Sequence, residues 1–183
     1  MAKLRFSFQP EKFVNAVAYL AQACPHSTKM TICKQLYYAD KEHLVRFGRP
    51  ITGDHYHKLE HGPIPTRGLD ILRRRSSERD AALLEKYVSV IGDAVHPRQS
   101  PNRKVFSKSD IEVLDRIIAQ CGRMSAAALR RKSHQEAPWK ESIDGCPIDY
   151  ALFFKEHPES ATVKELAQSE QDSRDLLRPY ATR

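Results

Sequence analysis

Asp40 and His43 stand three residues apart, and on a helix that spacing puts a carboxylate and an imidazole on one side, as an acid–base pair would need. Such a pair also needs a nucleophile or a substrate pocket. The chain has no G-x-S-x-G elbow, no phosphate-binding glycine loop and no Cys–His motif to supply one. The competing reading, favoured here, is that Asp40 is a buried hydrogen-bond hub that caps a neighbouring loop. Eight histidines raise the question of a metal. His55 and His57 would share one face of a strand, with Glu60 and His61 close behind them. Zinc needs three or four converging ligands and a second shell to orient them, and no recognised spacing here provides that. A polar strand face is expected, with no metal and no other cofactor. The four cysteines, Cys24, Cys33, Cys121 and Cys146, form no C-x-x-C pair and read as small buried hydrophobes.

Two basic stretches are candidates for phosphate contacts: Arg67, Arg73, Arg74, Arg75 and Arg79, then Arg123, Arg130, Arg131 and Lys132. No aromatic residues are interleaved with them and no helix-turn-helix signature precedes the first, so solvated charged faces are the simpler expectation. Trp139, the only tryptophan, lies in a polar, proline-containing segment that reads as a loop whose ring plugs a core or an interface, a buried core anchor being the favoured reading.

The elements that must position these residues follow from periodicity and punctuation. Pro10 opens a helix to about Cys24, closed by Pro25 and His26, with Phe13, Val17 and Leu20 on its apolar stripe. Ser27 or Thr28 caps a second helix from Lys29 to Phe47, stopped by Gly48. Asp40 falls inside the apolar stripe of that helix, where a core residue is expected. His55 to Glu60 reads as a short strand or one helical turn. Gly62-Pro63-Ile64-Pro65 reads as a rigid bend with its backbone on display, and a third helix follows from Thr66 to Arg74. A hairpin is centred on Gly92-Asp93. Helices from Lys108 to Gln120 and from Ser125 to Ser133 come next, then a short element at Ile148–Phe154 and a last helix from Thr162 to Leu177. The sum is a single α+β domain, predominantly α-helical, with one small hairpin or sheet.

With 183 residues, 40% of them hydrophobic, the chain can build a core and is not a disordered protein. Seven glycines exclude a collagen-like repeat, and no apolar run is long enough to span a bilayer. No signal peptide is visible, so a cytoplasmic protein without membrane association is expected. Thirty Lys and Arg against 23 Asp and Glu give a net charge of +7, which favours anionic partners.

Three ordered motifs resemble one family. Lys34-Gln35-Leu36-Tyr37-Tyr38-Ala39-Asp40-Lys41-Glu42-His43-Leu44 is similar to its Lys-Leu-x-Tyr-x-Ala-Asp helix. Gly48-Arg49-Pro50-Ile51-Thr52-Gly53-Asp54-His55-Tyr56 and His61-Gly62-Pro63-Ile64-Pro65 follow at the family's spacing. Ser133-His134 through Pro138-Trp139-Lys140 resembles its closing Ser-His-x-x-x-Pro-Trp element. The family is the SocA-like antitoxin, or Panacea, domain, and the resemblance covers residues 8–155, leaving 156–183 as a helical extension. Gln35 departs from it, standing where the family often has a hydrophobic residue.

The resemblance implies a bacterial or phage type II toxin–antitoxin system, with this chain binding a cognate toxin. In the SocA type the antitoxin also delivers its toxin to a Clp-type protease. No enzymatic activity is implied. The motif residues Asp40, His43, Arg49, Gly53, Asp54, Tyr56, His61, Gly62, Pro63, His134 and Trp139 are the candidates for scaffold or partner contact. Asp40 is expected to accept hydrogen bonds from the Gly53–Tyr56 backbone or from Arg49. A nucleic-acid-binding module using the basic faces is the alternative.

Overall fold

The computed structural model describes residues 3–24 and 26–177. It is 59% helical with two two-stranded antiparallel sheets, a predominantly α-helical α+β fold. The sequence pattern exposed one of the two hairpins; the other is built around the proline-rich segment expected to be a bend.

Helix α1 (Pro10–Ala23) starts on the proline and stops where Cys24 turns extended; Pro25, expected to help end it, lies outside the described residues. Phe13, Val14, Val17, Ala18 and Leu20 are all fully buried. Helix α2 (Lys29–Phe47) is the centre of the molecule. Thr28 accepts from the Thr31 amide while the Thr31 hydroxyl accepts from the Thr28 amide, and Gly48 ends the helix in the left-handed conformation at φ +75°. Ile32, Leu36 and Leu44 of α2 are fully buried, each contributing roughly 2–3 kcal/mol of transfer free energy.

Strands β1 (Tyr56–Leu59) and β2 (Gly62–Pro65) pair from Tyr56↔Pro65 to Leu59↔Gly62. All of β2 is buried because it lies against α2, so its backbone is not on display. The other edge of β1 is occupied by 145–148: the Gly145 and Ile148 amides donate to the Lys58 and Tyr56 carbonyls at 2.8 and 2.7 Å. Helix α3 (Thr66–Leu72) is shorter than expected, since the chain turns left-handed at Arg74 (φ +56°). Helix α4 (Glu78–Tyr87) lacks a counterpart in the sequence reading. Of its residues only Leu84 and Tyr87 are buried, so its apolar stripe is too thin to stand out, although Ser77 caps it.

Strands β3 (Val88–Ile91) and β4 (Ala94–Pro97) form the expected hairpin, and Ala94 bridges to Thr28. Helix α5 (Lys108–Cys121) carries a Ser107/Asp110 capping box, and Ser125 caps α6 (Ala126–His134). A single turn, α7 (Ala137–Lys140), holds Trp139. The last described helix, α8 (Ala161–Leu177), packs on α2; residues 178–183 of the expected extension lie outside the described residues. Among the described residues no helix is long and apolar enough to cross a membrane.

Candidate functional site

Because α2 carries Asp40 into the core, its carboxylate must find every partner inside the protein. Oδ1 accepts from the Ile51 and Thr52 amides, both at 2.8 Å, and Oδ2 accepts from the Thr52 hydroxyl at 2.5 Å and the Tyr56 phenol at 2.8 Å. The backbone donors therefore lie just before Gly53 rather than in Gly53–Tyr56, and Arg49 goes elsewhere. Burial raises the pKa of Asp40, and the hydrogen bonds from Thr52, Tyr56 and Ile51 oppose it. Gly53, at φ +69°, lets the chain pass close under the N-terminal segment, where a Cβ would collide with the Ser7 carbonyl.

Asp54 caps α3 from a distance, since the residue before that helix is Pro65 and has no side-chain oxygen. It accepts from the Gly68 amide at 2.6 Å and the Arg67 amide at 3.2 Å, and Tyr150 donates its hydroxyl to the Asp54 carbonyl. Burial pushes Asp54 up to about 6 against the pull of those amides.

His43 does not pair with Asp40. Its Nδ1 donates to the Arg49 carbonyl at 2.6 Å, and Nε2 lies 3.0 Å from Ser109 Oγ and 3.1 Å from Asp110 Oδ1. Arg49 itself reaches Asp110 Oδ1 at 2.9 Å, and Lys12 reaches Oδ2 at 2.9 Å. Burial alone would raise Asp110, but the contacts from His43, Lys12, the Ser107 amide and Arg49 outweigh it and hold the carboxyl well below the usual range. Asp40, Asp54 and Asp110 thus tie the loop that follows α2 to α2, α3 and α5.

The remaining motif residues converge on the far end of the β1–β2 hairpin. Lys34, fully buried, donates to the Pro63 carbonyl at 3.0 Å. Burial pushes its ammonium down to about 7, with Cys33 opposing the shift and the Arg130 charge adding to it. Gly62, at φ +90°, sits so close to this group that a Cβ would strike Lys34 Nζ and Ser133 Oγ, with His134 just beyond. The His134 ring stacks on Trp139 with centroids 3.7 Å apart and planes within 10°. Lys58 Nζ lies 4.6 Å from the centre of the Trp139 ring, and the indole N–H donates to the Leu59 carbonyl at 3.4 Å. Burial lowers His134, and the charges of Arg130, Lys34, Lys58 and His61 lower it further.

Trp139 is half-buried rather than a core anchor, because α7 is a single turn at the surface and His134, not the apolar core, supplies its stacking partner. Leu59, whose carbonyl accepts from the indole, is 41% exposed. Lys58 pairs with Asp144 at 3.1 Å and Arg130 with Glu60 at 4.0 Å, so this surface is bordered by paired charges of both signs.

Among the described residues no group of three or more His, Cys, Asp or Glu side chains converges as a metal site. His61 stands at the hairpin turn, and Cys146 is exposed, unlike the other three cysteines, because it lies in the strand-like segment on the edge of β1. The basic stretches are partly engaged: Arg74 pairs with Glu85 at 3.1 Å, Arg67 lies over Phe8, and Lys132 over Tyr38. Asp110, Lys34 and Tyr150 were not singled out as candidates in the sequence. The Ser107/Asp110 capping-box spacing was the one available signal for Asp110, whereas Lys34 and Tyr150 acquire their roles only through partners distant in the chain.

Comparison with known proteins finds no curated protein and no solved structure that matches the chain. A family model described as "Antitoxin SocA-like, Panacea domain" matches residues 32–140, from within α2 through α7. That span holds the Asp40 and Asp110 hubs and the Lys34–Gly62–His134–Trp139 cluster, and it is more than half of the chain: the protein belongs to the SocA-like antitoxin family and carries its Panacea domain.

Proposed function

We propose that this protein is the antitoxin of a type II toxin–antitoxin system, neutralising a partner toxin by direct binding and without catalytic turnover. The family membership over 32–140 carries the reading. The surface around Trp139 supports it as the contact face. It presents a half-buried tryptophan, a residue type enriched among those that dominate binding energy, with exposed Leu59 beside it, while the Lys58–Asp144 and Arg130–Glu60 pairs supply charge at the rim. The buried hubs act as the frame that holds this face in shape. Delivery of the bound toxin to a Clp-type protease is the second step of the reading.

The test is co-expression with the product of the adjacent gene, followed by affinity pull-down and a growth assay. Rescue of growth together with a stable complex is the expected result. A shorter toxin half-life in cells that hold both the antitoxin and the protease supports the delivery step, and an unchanged half-life removes it. A neighbour that is neither toxic nor bound overturns the reading. Affinity for DNA or RNA falling steeply with salt would then favour a nucleic-acid-binding module, for which the net charge of +7 is the supporting observation.

A further inference from the structure

A second candidate site shares no residue with the Trp139 face. An open cleft of about 450 Å³ runs between the N-terminal segment, β1 and the strand-like segment 145–148. Leu4, Phe6 and Ile148 give it apolar walls, and Lys3, Arg5, His55 and His57 also line it. Its volume is in the range of small-molecule sites.

Three observations give the cleft a polarity. No acidic side chain lines it; Lys3 Nζ lies 4.0 Å from the half-buried Asp149. Arg5 makes no ion pair among the described residues. His55 is lowered by burial and then by the charges of His57 and Arg67, so the local field is positive. The walls are also held in place. Gln171 of α8 spans the N-terminal segment, donating to the Lys3 carbonyl at 3.2 Å and accepting from the Arg5 amide at 2.6 Å, and β1 pairs with 145–148 on the other side.

We infer that this cleft binds a small amphipathic organic anion, an apolar body of a few carbons that carries a carboxylate or a phosphate. The apolar part lies against Phe6 and Ile148, and the anionic head pairs with Lys3 and Arg5 at the rim. The assignment is independent of the toxin-binding reading, because it rests on different residues.

The test titrates the full chain with hexanoate, phenyl phosphate and neutral 1-hexanol while the imidazole resonances of His55 and His57 are followed by NMR. A saturable shift of His57 with at least one anion, with an apparent dissociation constant below about 1 mM and at least about tenfold tighter than for hexanol, supports the site. The better of the two anions identifies the head group. The double variant Lys3→Ala/Arg5→Ala, altered only at exposed side chains, should lose about tenfold in affinity while its thermal midpoint stays where it was. The inference is overturned if neither anion shifts His57 at about 10 mM, if hexanol binds as well as the anions, or if the double variant binds as tightly as the parent chain.

Discussion

Tyr56 donates its phenolic hydrogen to Asp40 Oδ2 at 2.8 Å across sixteen residues of sequence, joining the first strand to the central helix inside the core. The bond is roofed by aromatic rings: Tyr37 meets Tyr56 edge-on at 5.4 Å, and Phe153 packs on both. Phe153 and Tyr150 lie beyond the span matched by the family model, so part of this core comes from outside that span.

Asp40→Ala leaves two amides, a threonine hydroxyl and a tyrosine hydroxyl without their acceptor in a dry interior, and should cost roughly 3–5 kcal/mol. Asp40→Asn keeps one acceptor and should cost less. Urea unfolding, read from the midpoint at constant slope, checks both, and an unchanged midpoint for the alanine variant would contradict the role of Asp40 as a structural hub.

Lys34 holds its proton more weakly in the folded chain, at about 7, than at its ordinary 10.5. Between those values the unfolded chain binds the extra proton, so this group makes stability rise with pH across that window. Lys34→Met should lack the gain and be at least as stable as the parent near pH 6, because a buried, singly bonded ammonium is replaced by an apolar chain of similar length. Chemical unfolding at about pH 6.5 and about pH 9 decides it, below the range where the raised buried tyrosines Tyr37, Tyr38, Tyr56 and Tyr150 titrate.

The acid side has two opposed contributions. Asp54, raised to about 6 from 3.8, takes up its proton more readily when folded, so its contribution declines as pH rises through that interval. Asp110, held below the usual range, stabilises the fold above 3.8 and loses that contribution as pH falls below it. Asp110→Ala should therefore flatten the acid limb and cost roughly 3–5 kcal/mol at neutral pH, since Lys12, His43 and Arg49 lose their common partner. Unfolding free energies at about pH 3, 5 and 7 test the signs.

Gln171→Ala removes the bridge between α8 and the N-terminal segment. About 1 kcal/mol of stability should be lost, and the amide of Arg5 should exchange with solvent markedly faster while the α2 amides stay protected.

Trp139→Ala should leave the thermal midpoint within a few degrees and weaken the complex with the partner toxin by about 2 kcal/mol or more, as loss of a central aromatic does. As the chain has one tryptophan, its emission in the parent protein also reports occupancy of that face directly.

Local rules carried α1, α2, α5 and α6. Pro10, Thr28, Ser107 and Ser125 mark starts, Gly48 marks a stop, and α1, α2 and α5 repeat apolar residues every three or four positions. The β3–β4 hairpin was legible in the same way, from Gly92-Asp93 between alternating residues. Helix α4 was not, because two buried residues in ten leave little periodicity. Strand β2 was not, because its prolines read as a bend until α2 covers one side and β1 pairs along it.

At the candidate site the division runs the same way. The amino-acid sequence by itself determined that Asp40 sits on the buried stripe of α2, and its three ordered motifs identified the family. Only the tertiary structure decided that Arg49 pairs with Asp110 rather than Asp40, that Lys34 lies beneath Gly62, and that Trp139 stacks on His134 at the surface. Helix periodicity acts within a few residues, so it tells which side of a helix is buried; a hydrogen bond or a ring stack depends on which distant segment packs there, and that is settled by the whole core closing at once.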